Sequence, residues 1–162
     1  MMAVADHLGK GTDFDVAVIG AGVVGAALAR AFTLAGARVV VLEKAVDVLD
    51  GASKGNSAIL HTGFDAPEGS VELACIREGY TLYHEIRDRL GLPLIRAGAM
   101  VLAWSEEEEA GLPALVDQAM ANGVTDVHPL IGAEARALEP ALSPAIRAGF
   151  RVPGEHLIDP WS

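Results

Sequence analysis

An α/β fold is predicted from three observations. A short β-branched run, Val16 to Ile19, leads directly into glycines at Gly20, Gly22 and Gly25. An alanine-rich helical pattern follows, and a second apolar run from Arg38 to Leu42 ends on an acid, Glu43. Strand, G-x-G-x-x-G turn, helix and strand in this order define a parallel βαβ unit. From Gly98 onward short strands and capped helices replace that pattern, so a mixed α+β part is expected to follow.

Val16 to Ile19 reads as a strand buried on both faces, bounded by Asp15 and Gly20. Gly20 permits the tight turn, Gly22 lets a pyrophosphate approach the backbone, and Gly25 lets the helix pack close to the sheet. The backbone around Ala21, Val23 and Val24 then presents helix N-terminal N–H groups and a positive dipole end to a diphosphate. Ala26 to Phe32 continues the helix, with Gly36 as its stop. Glu43, 18 residues after Gly25 and followed by Lys44, is placed to accept hydrogen bonds from ribose hydroxyls, and its charge disfavours a 2′-phosphate. The unit is therefore a Rossmann-like dinucleotide clamp, equally suited on these residues to NAD or FAD.

Composition narrows the field. The 162 residues are 51% hydrophobic with a mean hydropathy of +0.34, which fits a packed core and excludes a disordered chain. The longest apolar run, Val16 to Ala29, is 14 residues, short of the ~20 that a membrane-spanning helix needs. A net charge of −10, with 12 Lys and Arg scattered along the chain, sets the surface against nucleic acid and anionic lipid. Met1 to Thr12 lacks an apolar signal core and reads as a loose tail ending at Asp13. Cys75 is the sole cysteine, which suits a reducing compartment and reads as a small residue on a helix face. The expected location is the cytoplasm, free or peripheral to the inner face of the membrane.

Ala45 to Leu60 is a polar, glycine-dotted loop beside the clamp. Its Ser53, Asn56 and Ser57 offer groups for a pyrophosphate or a ribitol chain, and Lys54 offers a charge for phosphate. The same residues also serve as ordinary turn and capping residues. Ile59-Leu60 then delivers His61 into a glycine turn at Thr62-Gly63. Ser70 caps a helix with Glu72 in its first turn and an apolar stripe of Leu73, Ile76, Tyr80, Tyr83, Ile86 and Leu90, stopped by Gly91. Arg77, Arg87 and Arg89 belong to its solvated face, or turn inward to hold an anion. Ala99 to Trp104 is a strand, and Ser105 with Glu108 forms a capping box for a helix reaching Asn122-Gly123. A short strand through Val127 to Leu130, a short helix from Gly132 to Leu138 and a strand from Ala148 to Val152 follow. Asp159-Pro160 marks the entry to a further helix.

The clamp with Glu43-Lys44, the segment Ser53-Lys54-Gly55-Asn56-Ser57-Ala58-Ile59-Leu60-His61-Thr62-Gly63-Phe64-Asp65-Ala66, and Gly154-Glu155-His156-Leu157-Ile158-Asp159-Pro160 together resemble the FAD-dependent oxidoreductases of the D-amino-acid oxidase superfamily. Within it the likeness is to bacterial glycerol-3-phosphate dehydrogenases and L-2-hydroxyglutarate dehydrogenases. The resemblance implies a glutathione-reductase-type FAD-binding domain, with Gly20, Ala21, Gly22, Val23, Val24, Gly25, Glu43, Lys44, Ser53, Asn56, Ser57 and Leu60 against the cofactor. It places His61 near the flavin as the base in oxidation of a small anionic secondary alcohol, glycerol 3-phosphate first. The stretch Ala27 to Gly36 departs from the acidic residue and Arg-Gly pair that quinone-linked glycerol-3-phosphate dehydrogenases share, which keeps 2-hydroxy acids as the alternative substrates.

The expected organisation is a tail over 1–13, an FAD-binding segment over 14–97 and the start of a substrate-binding domain over 98–162. Two strands are too few for a self-sufficient parallel sheet, so the chain reads as the N-terminal portion of a longer flavoenzyme. The contrasting class is a non-catalytic dinucleotide-binding subunit that works with a partner chain. A quinone, O2 or another protein would each serve as electron acceptor.

Overall fold

The structure, a computed structural model, describes residues 13–159. The tail from Met1 to Thr12 and the helix anticipated at Pro160 lie outside the described residues. The chain forms two compact units, one up to Ser57 and the other from Ala58 onward.

In the first unit β1 (Val16–Ile19) pairs in parallel with β2 (Val39–Leu42), Val16 opposite Val39 and Ile19 opposite Leu42. The connection is α1 (Val23–Leu34). The helix stops two residues before Gly36, whose φ of +89° turns the chain back toward the sheet. Asp15 holds the two strand entries together: its carboxylate accepts from the Arg38 backbone N–H at 2.8 Å and pairs with the guanidinium at 3.2 Å. One helix on two strands covers only part of the apolar surface they create. Ile19 is 88% exposed, and Val24, Leu28, Phe32 and Leu34 are exposed as well.

The second unit opens with β3 (Ile59–Leu60) and α2 (Val71–Leu90). Ser70 accepts from the Leu73 N–H at 3.0 Å, and Gly91 closes the helix at φ +67°, the cap and stop that the sequence predicts. The apolar stripe divides: Leu73 is buried, whereas Leu90 is exposed. Cys75 is exposed on the same helix.

Next come β4 (Ala99–Ala103), α3 (Glu106–Ala121), β5 (His128–Ile131), α4 (Gly132–Leu138), β6 (Ala148–Val152) and β7 (His156–Leu157). β4, β6 and β5 make an antiparallel sheet in that order, with β6 central. Val101 faces Phe150 across one ladder and Pro129 faces it across the other. The capping box at Ser105 and Glu108 starts α3, which continues through Pro113. Ala103, Leu112, Ala119, Val124, Val127, Phe150 and Val152 form the core. Phe64 packs edge-on against Phe150 with ring centroids 6.0 Å apart. The separate β3–β7 ladder pairs Ile59 with Leu157 and Leu60 with His156. Sequence reading anticipates neither of these two-residue strands, because they are too short to show a period-two pattern.

Candidate functional site

The clamp is built around a bend at Gly20, where φ is +97°. A Cβ at Gly25 would run into the Gly20 carbonyl, and one at Gly22 would lie 3.2 Å from the Ser53 hydroxyl oxygen. Close helix–strand packing and an open path for a ligand therefore both depend on these glycines. By helix geometry the N–H groups of Val23, Val24 and Gly25 have no intrahelical acceptor. Ser53 Oγ accepts the first of them at 3.0 Å, capping α1 from 30 residues away.

Glu43 ties the end of β2 to the glycine turn. One carboxylate oxygen accepts from the Ala21 N–H at 2.7 Å and the other from the Ala45 N–H at 2.9 Å. Those bonds, that of Ala21 first, hold its carboxyl below the usual carboxylate range. Gly20, Gly22, Glu43, Lys44, Leu49 and Ser53 line a cavity of about 440 Å³, within the size range of small-molecule sites. A glycine-lined floor, a positive helix end and an acid at the tip of the second strand fit the adenosine diphosphate part of a dinucleotide. Lys54 is engaged elsewhere in its loop, 3.5 Å from both Asp47 and Asp50. Asn56 donates to the Ser53 carbonyl at 2.7 Å, and Ser57 is exposed.

In the second unit the β3–β7 register brings His61 next to Glu155. The imidazole is about half exposed and its Nδ1 lies 3.0 Å from Glu155 Oε2, while the glutamate side chain is 3% exposed. The other carboxylate oxygen accepts from the Thr62 N–H at 2.6 Å and the Thr62 hydroxyl at 2.7 Å. The turn that follows is clasped from α3. Asn122, 1% exposed, donates to the carbonyls of Gly63 and Ala66 at 2.8 Å, and Gln118 donates to those of Asp65 and Ala66 at 2.9 Å. Tyr80 holds the facing turn by donating to the Gly154 carbonyl at 2.9 Å. Burial first, and then the Asp126 and Glu155 carboxylates, push its phenol above the ordinary tyrosine value.

Arg77 lines a separate pocket of about 310 Å³ with Thr62, Tyr80, Asn122 and Asp126. Of the other two arginines, Arg87 lies 3.8 Å from Asp88. Beside Tyr80, the His84 and His156 rings meet edge to face with centroids 5.9 Å apart. Buried Nε2 of His84 and Nδ1 of His156 lack hydrogen-bond partners among the described residues. Burial first, and then His156, Arg87 and Arg96, lower the His84 pKa below the ordinary histidine value.

The structure thus gathers Gly20, Gly22, Glu43, Lys44 and Ser53 around one cavity in the first unit, and in the second holds Leu60 on a short ladder with His61 directly after it. Sequence reading places Glu155 only within a family motif and Asn122 only at a helix end, with no part in the site for either. The available signal for Glu155 was an acid set between a Pro-Gly turn and an apolar pair, where burial calls for partners.

A βαβ glycine clamp with an acid at the second strand defines a dinucleotide-binding α/β protein. The sequence profile described as "FAD dependent oxidoreductase" matches residues 15–162, and the chain belongs to that family. Its cofactor is FAD. The chain is 34% identical to glycerol 3-phosphate dehydrogenase of Caloramator mitchellensis over 148 residues, which cover 91% of this chain and 31% of that protein. It is 30% identical over 129 residues to mitochondrial L-2-hydroxyglutarate dehydrogenase of Caenorhabditis elegans, covering 78% of this chain and 30% of that protein. Among solved structures, dithionite-reduced L-alpha-glycerophosphate oxidase of Mycoplasma pneumoniae with FAD bound superposes with a TM-score of 0.78 at 27% identity, over 91% of this chain and 39% of that one. The chain spans about a third of the length of these relatives.

Proposed function

We propose that the chain carries the FAD clamp and the catalytic histidine of a flavoenzyme that oxidises a small anionic secondary alcohol, with glycerol 3-phosphate as the first substrate. The observation that carries this reading is the pairing of His61 with a buried carboxylate, in a chain whose relatives include a glycerol 3-phosphate dehydrogenase. FAD, when bound, supplies the two-electron acceptor for the hydride that leaves the alcohol carbon.

The residues of this chain divide the remaining work. Backbone N–H groups of α1 and the open floor at Gly22 bind the pyrophosphate, Glu43 binds the adenine-side ribose, and Lys44, Ser53, Asn56, Ser57 and Leu60 line the cofactor's path. His61 accepts the hydroxyl proton and keeps it on the imidazole as the carbon–hydrogen bond breaks and the alcohol becomes a ketone, the hydride acceptor being the one that bound FAD would supply. Cofactor binding is assigned to 14–97 and substrate binding to 98–162, where the antiparallel sheet begins at Ala99. An L-2-hydroxy acid such as L-2-hydroxyglutarate is the second reading, favoured by the relative from Caenorhabditis elegans. The electron acceptor is a quinone, O2 or a partner protein. No helix among the described residues is long and apolar enough to cross a membrane, and we place the enzyme in the cytoplasm or peripherally on the inner face of the membrane.

A substrate panel with an artificial dye as electron acceptor tests the proposal. Turnover of glycerol 3-phosphate, with kcat lowered by about 10²–10⁴-fold in His61→Gln, is the expected result. Turnover restricted to amino acids, or full activity in His61→Gln, would contradict it.

A further inference from the structure

We infer that Glu155 is the positioning residue for His61, fixing the ring as the tautomer whose Nε2 is free to take the substrate proton; this rests on the reading of His61 as the base. The β3–β7 register sets Leu60 against His156, so His61 and Glu155 are the next pair along the two chains. The carboxylate is fixed before it meets the ring. Oε1 is committed to both donors of Thr62, the residue adjacent to His61, and the side chain has almost no exposure to water. Its Oε2 then stands 3.0 Å from His61 Nδ1. A carboxylate oxygen and an unprotonated ring nitrogen are both acceptors and would repel at that distance, so Nδ1 carries the hydrogen. In the neutral ring the lone pair is consequently on Nε2, on the far side of the imidazole from the carboxylate. When Nε2 takes a proton, the cation that forms faces a negative charge already in place.

The test combines a tautomer measurement with a split of kinetic constants on the FAD-loaded protein. Nitrogen chemical shifts of the His61 ring, from long-range proton–nitrogen correlation spectra, are expected to show hydrogen on Nδ1 in the unaltered protein. In Glu155→Gln the single amide oxygen keeps the Thr62 donors and the NH₂ group turns to Nδ1, so the hydrogen moves to Nε2. That variant is expected to lose about 10²–10⁴-fold in kcat with KM changed little, and Glu155→Asp to keep the Nδ1–H tautomer and recover part of kcat. Hydrogen on Nε2 in the unaltered protein overturns the inference without requiring any variant to fold. A folded Glu155→Gln protein with unchanged tautomer and unchanged kcat also overturns it. If His61→Gln retains full activity while the Nδ1–H tautomer is present, the base assignment fails on its own, and the orienting contact stands.

Discussion

Glu43 closes the glycine turn through the Ala21 N–H, and it stands just past the end of β2, the place we propose for the ribose. Its depressed pKa gives a signed expectation. The folded state prefers the ionised form, so the stabilisation is fully present at neutral pH and is lost as pH falls through the carboxylate range to its lowered value. Asp15, lowered by its bonds to Arg38, acts in the same direction. Glu43→Gln should therefore flatten the acid limb of a melting-temperature profile and weaken FAD binding, read by flavin fluorescence quenching; an unchanged profile would remove Glu43 from this role. His84 has a separate window. Its pKa is lowered in the fold, so stability is expected to fall as pH drops from the unfolded histidine value of about 6.5 toward the lower folded one. His84→Leu should abolish that component in chemical unfolding at a series of pH values.

Among the elements of the second unit, the turn from Gly63 to Ala66 is clasped by two amides of α3, the buried one being Asn122. Asn122→Ala would strip the Gly63 and Ala66 carbonyls of one donor each, leaving them the Ala66 N–H and Gln118, and a loss of about 1–2 kcal/mol is expected from denaturant unfolding. A loss below about 0.5 kcal/mol, the scale of an ordinary surface change, would show that water replaces the clasp. In the first unit Gly25→Ala would drive a Cβ into the Gly20 carbonyl. Overpacking of that kind costs about 1–3 kcal/mol and should abolish FAD retention, whereas Ser53→Ala, removing a cap, should cost only ~1 kcal/mol.

The local features among these were legible in the residues alone. The strand–glycine–helix–strand order, the Ser70 cap, the Gly91 stop and the Ser105–Glu108 box each declare themselves within a few neighbouring positions. What was not legible depends on distance along the chain. Thr62 and Glu155 are 93 residues apart, and the strands that join them are two residues each. No periodicity announces such a ladder, so Glu155 remained an acid in a motif. For Ser53 the residues alone leave two alternatives, capping and cofactor contact. The structure gives the cap, in the form of a bond to Val23 across 30 residues, and leaves the same hydroxyl beside the cavity at Gly22.

For the whole molecule, a two-stranded parallel sheet under a single helix leaves a broad apolar surface exposed, including Ile19, Val24, Leu28 and Phe32. Such a surface limits stability in water. FAD is expected to raise the melting temperature through mass action, because a ligand that binds only the folded state stabilises it. The same physics makes loss of FAD and loss of the first unit's structure a linked event. The direct measurement of this chemistry is anaerobic mixing of the FAD-loaded protein with glycerol 3-phosphate, and in parallel with L-2-hydroxyglutarate, while the visible flavin band is followed. Bleaching by one of these alcohols, slowed by about 10²–10⁴-fold in His61→Gln, is the predicted result. A band that neither alcohol bleaches, in protein that holds FAD and is reduced by dithionite, would contradict the assignment as an oxidoreductase of small anionic alcohols.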